Sequence, residues 1–486
     1  MDTRVLPVPM DPATAAMFRL DGQDPDEMEA LFARVLSYTH YALPDPPVSV
    51  DARLCALLPQ HSVDGVSRLP DLLLRNIVSR LPVKEGARTA TLSRRWRRSG
   101  ALPPAATAVA GTASARSDAR RITSTVSRII AAHPGPFRCV HLTSSHMEEF
   151  HGLLTRWLRI LANKGIQELV LVNRPWPLDL VLPSTFLGMT TLTRLYLGLW
   201  KFPDTAGIPS ATCLPNLLEL GLCSLVMESK DLDFILDRSP VLETLYIHGN
   251  LFKVSLRLVN QSLQIAVVDA PRLERLILTG CWSSGGVCTK VKIGYAPKLH
   301  SLGYLDSGSH DLEFGNTVIK AGTKVSPSTM VPSVRVLALE VRCGVRNDVK
   351  MIPTVLRCFP NSGKTGQPSG KHNLKFWNES GTIECISSRI KLLVFHDYRG
   401  DRSELAFLKF FFESALVLKH VVIVLANAWF TSMEDMHSKV NPLRSMKRAS
   451  AGSKIMVTGC SDPEDGGMGN FKRASASSVG DPFVNF

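Results

Sequence analysis

The sequence predicts an α/β chain in which a short three-helix unit near the N-terminus precedes an irregular leucine-rich-repeat solenoid with a β-α-β C-terminal cap. Three observations predict this class. Apolar residues recur at helical spacing over residues 64–98, leucines recur with a long period over 137–345, and two apolar strand patterns flank one helical pattern over 381–430. A chain of 486 residues is long enough to hold these parts as separate domains.

The composition is that of an ordinary globular protein, since 45% of the residues are hydrophobic and 20% are charged. This excludes the collagen-like, mucin-like and acidic-tail classes. The net charge of +13 favours acidic partners, although it is spread over the whole length. The ten cysteines form no CxxC pair and no zinc spacing, which indicates reduced thiols, and we expect no metal site.

The pattern of charge and hydropathy predicts no targeting or membrane segment. The N-terminus carries an acid at Asp2 and is followed by no apolar run typical of a secretory signal. The most apolar window, residues 421–430, is interrupted by Asn427 and falls short of the ~20 residues that cross a bilayer. We therefore expect an intracellular protein, in the nucleus, the cytoplasm or both, with no membrane partner.

Changes of composition predict the boundaries between the folded parts. Residues 1–63 predict a poorly ordered segment that contains one amphipathic helix, Asp26 to Leu36. Residues 99–120 are low in large apolar side chains, and residues 99–136 are predicted to form a linker. Residues 346–380 predict a loop-rich connection, and residues 431–486 predict a C-terminal tail.

The apolar spacing in residues 64–98 predicts three short helices. Pro70 suits the first turn of a helix that Ser67 can cap, and Pro82 ends that helix. Leu92 and Trp96 are four residues apart, which places them on one face of a further helix. Helices this short bury too little apolar surface to be stable alone, so we expect the unit to dock on a partner or on its own chain.

This segment resembles an F-box in its plant form. It carries S-x-L-P-D-x-L-L from Ser67 to Leu74, L-P-x-K-E from Leu81 to Glu85 and L-S-x-R-W from Leu92 to Trp96. The resemblance implies binding to a Skp-type adaptor, and through it to a cullin-RING scaffold, with the F-box protein as receptor for a protein substrate. The residues implied to form or support the adaptor-binding surface are Leu69, Pro70, Leu73, Leu74, Ile77, Leu81, Pro82, Leu92 and Trp96. The alternative is an intramolecular helical cap on the repeats.

The leucines follow the pattern L-x-x-L-x-L, with Ile, Val or Tyr allowed, in seven segments. These begin at Ile166, Leu192, Leu217, Leu242, Leu273, Leu299 and Val334. Each segment predicts a strand that stacks on its neighbours, and residues 262–269 predict a further degenerate strand.

Alternation along each predicted strand turns the leucines inward and the intervening residues toward the open face. Aromatic and Arg side chains often anchor protein interfaces, so this row is a candidate surface for a protein target. The target-binding candidates are Glu168, Arg194, Tyr196, Glu219, Tyr246, His248 and Arg275. An ordinary solvated sheet face is the alternative for any one of them.

The C-terminal cap is predicted as a strand over residues 389–396, a helix over 403–418 and a second strand over 421–425. The helix places Leu405, Leu408, Phe412 and Leu416 on one side. This segment is similar to the FBD region that follows leucine-rich repeats in many plant F-box proteins.

Patterns typical of catalysis are missing from the sequence. No serine lies in G-x-S-x-G, and Gly363-Lys364-Thr365 lacks the first glycine of a phosphate-binding loop, so we expect no catalytic residue and no cofactor. The resemblance to an F-box implies that the chain is the non-catalytic substrate receptor of a Skp-cullin-F-box ubiquitin ligase. A leucine-rich-repeat scaffold that binds proteins without degrading them is the alternative. The arginine cluster at 94–98 favours nucleic acid as a partner only weakly, because such clusters are more often a solvated helix face.

Overall fold

The computed structural model describes residues 10, 12–20, 22–44, 69–70, 73, 105–108, 116–132, 137–145, 150–173, 180–249, 264–279, 289–306, 310–343, 346–362, 364–366, 369–370, 374–426, 430, 432–459, 471–476 and 481–483. The chain divides into two units. The first comprises Met1–Met227 with Phe234–Leu242, and the second comprises Glu228–Asp233 with Glu243–Phe486.

A parallel sheet organises the first unit. Its strands pair in chain order, and they are β1 (Ala105–Ala108), β2 (Cys139–Ser145), β3 (Glu168–Asn173), β4 (Arg194–Gly198) and β5 (Glu219–Cys223). Two helices lie between the first three strands in the sequence: α3 (Arg116–Ala132) and α4 (His151–Asn163). A 3-10 helix, Ser184–Gly188, lies between β3 and β4.

The N-terminal segment folds as two helices, α1 (Pro12–Leu20) and α2 (Pro25–Tyr41). The side chain of Asp24 accepts a hydrogen bond from the Asp26 amide and caps α2, while Pro25 occupies the first turn. The buried residues of α2 form one stripe at helical spacing, and they are Met28, Phe32, Val35, Leu36 and Thr39. Residues 12–44 are therefore packed, where the composition predicts a poorly ordered segment, because Phe18 of α1 and the apolar residues of the α2 stripe are buried.

A parallel sheet also organises the second unit, and it contains the strands at the later leucine segments. Its strands pair in the order β6 (Thr244–His248), β8 (Arg275–Thr279), β10 (Ser301–Asp306), β13 (Val336–Glu340), β15 (Lys364–Gly366), β17 (Leu392–Tyr398), β18 (His420–Leu425) and β19 (Lys454–Gly459). A smaller sheet pairs in the order β12 (Thr317–Val318), β11 (His310–Phe314), β9 (Thr289–Tyr295) and β7 (Gln264–Asp269). Strands β14 (Arg342–Cys343) and β16 (Ser369–Gly370) pair separately.

The remaining helices lie between these strands in the sequence. They are α5 (Ser229–Asp237), α6 (Arg346–Cys358), α7 (Leu374–Glu379), α8 (Glu384–Ser388), α9 (Arg402–Ser414), α10 (Met433–Ser445) and α11 (Phe471–Ser475), with a 3-10 helix at Pro327–Thr329.

All seven predicted leucine segments coincide with a strand of the parallel sheets, so the sequence prediction is confirmed. Leu169, Leu195 and Leu220 are fully buried and lie in register with one another. One main-chain hydrogen bond recurs from strand to strand: the Glu168 amide donates to the Arg138 carbonyl, and the Arg194 amide to the Gln167 carbonyl. The predicted degenerate strand is also present as β7, but it belongs to the smaller sheet and pairs with β9.

One leucine-type position differs from its prediction. The pattern places Tyr304 inward, whereas the register between β10 and β13 shifts between Leu302 and Leu305. Leu305 is consequently the buried residue paired with Leu339, and Tyr304 is only half-buried. A local irregularity of this kind reverses the side on which each later side chain lies.

The β-α-β arrangement predicted for the cap is confirmed as β17, α9 and β18. Helix α9 ends at Ser414, earlier than predicted, and Leu416 is 64% exposed because the chain turns extended at Ala415. The cap is followed by α10 and β19, where the sequence predicts a tail. The same recurring hydrogen bond reaches this added strand, since the Lys454 amide donates to the Lys419 carbonyl.

Two further segments carry helices where the composition predicts irregular chain. Helix α3 occupies the predicted linker and buries Val126 and Ile130. Trp157 Nε1 donates a hydrogen bond to Ser127 Oγ of this helix at 3.0 Å. Helix α6 occupies the predicted loop-rich connection and buries Ile352 and Val355. In both cases a few well-spaced apolar side chains pack on the sheet, although the average composition of the segment is polar or mixed.

Candidate protein-binding surfaces

Only the beginning of the predicted adaptor-binding surface lies within the described residues. The Leu73 amide donates to the Pro70 carbonyl at 3.0 Å, which closes a turn. Leu73 is 52% exposed, Pro70 is exposed and Leu69 is half-buried, so Leu73 and Pro70 remain accessible. The other candidates lie outside the described residues, and they are Leu74, Ile77, Leu81, Pro82, Leu92 and Trp96.

Three of the target-binding candidates form a charged ladder across neighbouring strands. Glu168, Arg194 and Glu219 are the first residues of β3, β4 and β5 and lie in register. Arg194 Nη1 donates to Glu168 Oε2 at 3.2 Å, and Arg194 Nε donates to Glu219 Oε2. The three side chains are 13–23% exposed, so this ladder forms a partly accessible edge of the sheet.

The ladder is electrostatically self-satisfied. Burial disfavours the charge on Arg194, but the hydrogen bond to Glu219 and the two neighbouring carboxylates raise the pKa of its guanidinium above the ordinary value. Arg138 Nε also lies 3.8 Å from Glu168 Oε1, so two guanidinium groups balance the two carboxylates, and the ladder has little attraction left for an acidic or a basic partner.

Tyr196 lies on the same strand as Arg194 but is completely buried beneath α2. Its hydroxyl donates to the Thr39 carbonyl at 3.0 Å. The Thr39 hydroxyl donates to the Val35 carbonyl at 2.7 Å and lies 3.3 Å from Cys223 Sγ. Helix and sheet approach closely here, since a Cβ on Gly198 would lie 2.8 Å from Thr39 Cγ2, which explains the glycine at that position.

Helix α2 also reaches β2. His40 Nε2 lies 2.8 Å from the Thr143 carbonyl oxygen. His141 on the same strand is buried, and burial together with the charge of Arg194 lowers its pKa to about 4. The end of α2 therefore covers the side of β2, β4 and β5 that the alternation rule assigns to solvent.

Tyr246 and His248 are buried in the second unit and joined through a threonine. His248 Nδ1 lies 2.9 Å from Thr279 Oγ1, which donates to the Tyr246 hydroxyl at 3.2 Å. Burial lowers the pKa of His248 to about 3, so the ring is neutral at physiological pH. The edge of the Tyr246 ring meets the ring of Phe471, with centroids 6.1 Å apart.

Arg275 is buried by the same C-terminal segment. Its Nη1 donates to the carbonyl oxygens of Ala474, at 2.6 Å, and Ala476, at 3.0 Å. On the neighbouring strand, the Tyr304 ring lies 5.2 Å from that of Phe483 in an edge-to-face arrangement. Residues 471–476 and 481–483 thus cover the side of β6, β8 and β10 on which Tyr246 and Arg275 lie.

The expectation that all seven candidates face solvent is wrong for Tyr196, Tyr246, His248 and Arg275. Alternation decides which side of a strand a residue occupies, but it does not reveal whether a distant segment covers that side. The covering residues Thr39, Phe471 and Phe483 were not among the predicted site residues. The apolar stripe of α2 was a detectable signal for the first, whereas two phenylalanines in a polar segment are a weak signal for the others.

The FBD-like region holds one buried carboxylate. Glu404 Oε2 accepts hydrogen bonds from the amides of Arg399 and Asp401, which completes a capping box at the start of α9. Burial nevertheless raises the pKa of Glu404 to about 7, outweighing these backbone hydrogen bonds. The helix packs through an aromatic cluster, with the Trp377 ring 5.0 Å from Phe407 and 5.6 Å from Phe410.

Four described cysteine thiols and the possible metal ligands were the remaining candidates for chemistry in this part of the chain. Burial raises the pKa of Cys358 and of Cys385 to about 12, and it also raises the pKa values of the Cys139 and Cys223 thiols. These thiols are therefore protonated at neutral pH and poor nucleophiles. The described residues contain no group of three His, Cys, Asp or Glu side chains that could hold a metal ion. Among them, no helix is both long and apolar enough to cross a membrane.

Three family profiles match consecutive parts of the chain. A profile described as F-box domain matches residues 66–99, one described as FBD-associated F-box protein At5g56370, LRR repeats, matches residues 154–364, and one described as FBD matches residues 378–423.

Curated relatives whose names include an F-box occur in Arabidopsis thaliana. F-box/LRR-repeat protein At3g26922 is 30% identical over 245 residues, which cover 50% of this chain and 74% of the relative. Putative F-box/FBD/LRR-repeat protein At5g22670 is 22% identical over 447 residues, 82% of this chain and 98% of the relative. FBD-associated F-box protein At4g13985 is 25% identical over 260 residues, 47% of this chain and 54% of the relative.

Proposed function

This chain belongs to the plant family of proteins that combine an F-box, leucine-rich repeats and an FBD region, and on that basis we propose that it is a substrate receptor of a Skp-cullin-F-box ubiquitin ligase. The F-box binds a Skp-type adaptor, which joins the cullin-RING scaffold. The repeat region binds the protein to be ubiquitinated. We place this activity in the nucleus, the cytoplasm or both.

The observation that carries the proposal is the F-box match at residues 66–99 together with the accessibility of its first apolar residues. Leu73 is 52% exposed, although it is a leucine in a strongly apolar pattern. An exposed leucine at this place offers apolar surface that a docking partner can bury. Burial of several such side chains at about 1.5 to 3 kcal/mol each is enough for a stable complex.

The receptor needs no catalytic side chain. It accelerates ubiquitin transfer by holding a lysine of the target near the charged enzyme, which raises the effective concentration of the two reacting groups.

Adaptor binding is tested with the full chain, co-expressed with a Skp-type adaptor. The variant Leu73→Asp/Ile77→Asp should lose the adaptor on purification, because two charges would have to be buried in an apolar interface. Leu20→Asp is the matched control, since Leu20 is 88% exposed in α1, outside the F-box. Retention of the adaptor by the double variant at the level of the control would contradict the proposal.

A non-degradative scaffold is the second candidate, because a repeat sheet can bind a protein without delivering it to a ligase. The two functions differ in the fate of the partner. Proximity labelling with and without a proteasome inhibitor should recover degraded targets only when the inhibitor is present. Partners recovered equally in both conditions, at levels that overexpression of the receptor leaves unchanged, would favour the scaffold.

A further inference from the structure

Part of the second unit's sheet is occupied by a segment of the same chain that is about 200 residues away in the sequence. Arg275 in β8 and Ala474 in the segment, which hydrogen-bond to each other, are 199 positions apart. Phe471 is fully buried in this arrangement, and Phe483 is 6% exposed. The segment therefore covers this part of the sheet.

The covered surface includes one side chain from each of three neighbouring strands. Tyr246 on β6 meets Phe471, Tyr304 on β10 meets Phe483, and Arg275 lies on the strand between them. Both ring pairs are edge-to-face, the arrangement that aromatic side chains prefer. Two aromatic positions thus flank one guanidinium.

Both hydrogen bonds described for Arg275 Nη1 go to the main chain of the segment. The guanidinium binds the main-chain oxygens of Ala474 and Ala476, which any peptide can present in the same geometry. Lys472, next to the first anchor, is exposed. The described contacts of the segment with this side of the sheet thus include two phenylalanine rings and a pair of carbonyl groups.

Arg194 occupies the equivalent first position of its own strand but is engaged differently. It is bound by the carboxylates of Glu168 and Glu219 on the two adjacent strands. The strand neighbours of Arg275 at that position are Thr244 and Ser301, which are uncharged. The guanidinium of Arg275 is consequently directed to acceptors that come from outside the sheet.

We propose that the side of β6, β8 and β10 carrying Tyr246, Arg275 and Tyr304 is a binding site for a peptide with an aromatic anchor. Three residues after the aromatic side chain, the peptide presents main-chain or carboxylate oxygens to Arg275. The C-terminal segment is an internal occupant, and a target peptide binds by displacing it. The inference rests on the proposed receptor function, whose target it describes.

An internal occupant reduces the apparent affinity for an external peptide in proportion to the fraction of molecules in which the site is open. The test is fluorescence anisotropy with a labelled peptide of residues 469–486, added to the purified full chain with its adaptor. Phe471→Ala/Phe483→Ala should bind this peptide at least tenfold more tightly than the unmodified chain, because its own segment competes less. Adding Arg275→Met to that variant should remove most of the gain.

A peptide with both phenylalanines replaced by alanine is the matched control, and it should bind at least tenfold more weakly. The inference is overturned if the labelled peptide binds the unmodified chain and the double variant with equal affinity. It is also overturned if the control peptide binds the double variant as tightly as the labelled peptide does. If circular dichroism shows that the double variant is unfolded, Phe483→Ala alone replaces it, with an expected gain of about threefold and the same overturning result.

Adaptor capture on the same preparations separates this inference from the proposed function. A chain that retains the adaptor but whose double variant gains no affinity for the peptide overturns the peptide site and leaves the receptor function standing. A chain that shows the expected gain but captures no adaptor supports the site and contradicts the ligase role.

Discussion

Two segments from opposite ends of the chain cover strand faces, one in each unit, and they differ in how much apolar surface they commit. In the first unit, α2 buries a stripe of five residues over 17 residues of helix. In the second unit, the C-terminal segment is held by Phe471, Phe483 and the contact between Arg275 and main-chain oxygens. Helix α2 is therefore part of the core of the first unit, whereas the C-terminal segment resembles a bound ligand of the second unit.

The two arginines at equivalent strand positions follow the same division. Arg194 is bound within its own sheet by Glu168 and Glu219, beside a face that α2 closes. Arg275 is bound by the cover itself. Loss of the first cover would expose Tyr196 and His141, whereas loss of the second would leave a surface already suited to a peptide.

The largest expected effect is the loss of the first cover. Phe32 is 2% exposed, and Phe32→Ala should lower the free energy of unfolding by about 3 to 5 kcal/mol, because the cavity in α2 cannot close. Urea unfolding followed by circular dichroism measures the change. Leu20→Ala, at a residue 88% exposed, is the control and should change the free energy by less than about 0.5 kcal/mol. If Phe32→Ala lowers the free energy of unfolding by no more than Leu20→Ala does, α2 is not part of the core.

The next prediction concerns how the free energy of unfolding changes with pH. His141 in the first unit and Glu404 in the second unit should change it in opposite directions. The pKa of His141 is lowered to about 4, so its contribution to stability is present above about pH 6.5 and is lost as the pH falls toward 4. The pKa of Glu404 is raised to about 7, so its contribution is present below about pH 4.5 and is lost as the pH rises through 7. Each contribution amounts to at most about 3 kcal/mol.

This difference is measured by urea unfolding between pH 4.5 and pH 8. Glu404→Gln should be more stable than the unmodified chain at pH 8, and the gain should vanish toward pH 4.5. Glu413→Gln, an exposed site on the same helix, should show no such trend. His141→Gln should reverse the sign, with its relative stability greatest at acid pH. A pH-independent difference for both Glu404→Gln and His141→Gln would contradict the assigned protonation states.

A smaller effect is expected from the second cover. Phe471→Ala should lower the free energy of unfolding by only about 1 to 2 kcal/mol, because the segment can leave the sheet locally without unfolding the strands beneath it. Hydrogen exchange should show faster exchange in β6 and β8 at a free-energy cost well below that of global unfolding. If Phe471→Ala costs as much as Phe32→Ala, the two covers are equivalent and the C-terminal segment is core.

The smallest effect concerns the charged ladder. Arg194→Met should cost about 1 kcal/mol, since it leaves Glu168 and Glu219 as partly buried neighbours of like charge. The cost should shrink at high salt, which screens the repulsion between the two carboxylates. The double change Arg194→Met/Glu219→Gln relieves that repulsion and should recover part of the loss. A cost that salt does not alter would indicate packing of the arginine stem rather than charge.

The repeat strands and the β-α-β region were predictable because their signals are local. A strand of the form L-x-L needs only its own few residues to identify its inward side, and the seven leucine segments accordingly coincide with seven strands. The exception is Tyr304, where a shift of register against β13 is invisible in the pattern of β10 alone. The covers were not predictable in the same way, because Thr39 and Tyr196 are 157 positions apart.

The period of the leucines, the F-box-like helical pattern and the alternation that assigns each strand residue to a side can all be read from neighbouring residues in the chain. Which of these sides are open depends on contacts between distant segments. Whether Tyr196, Tyr246 and Arg275 meet water or protein depends on where α2 and residues 471–476 and 481–483 come to lie. That outcome is set by the apolar area that a distant segment can bury against the sheet, a quantity that no local pattern contains.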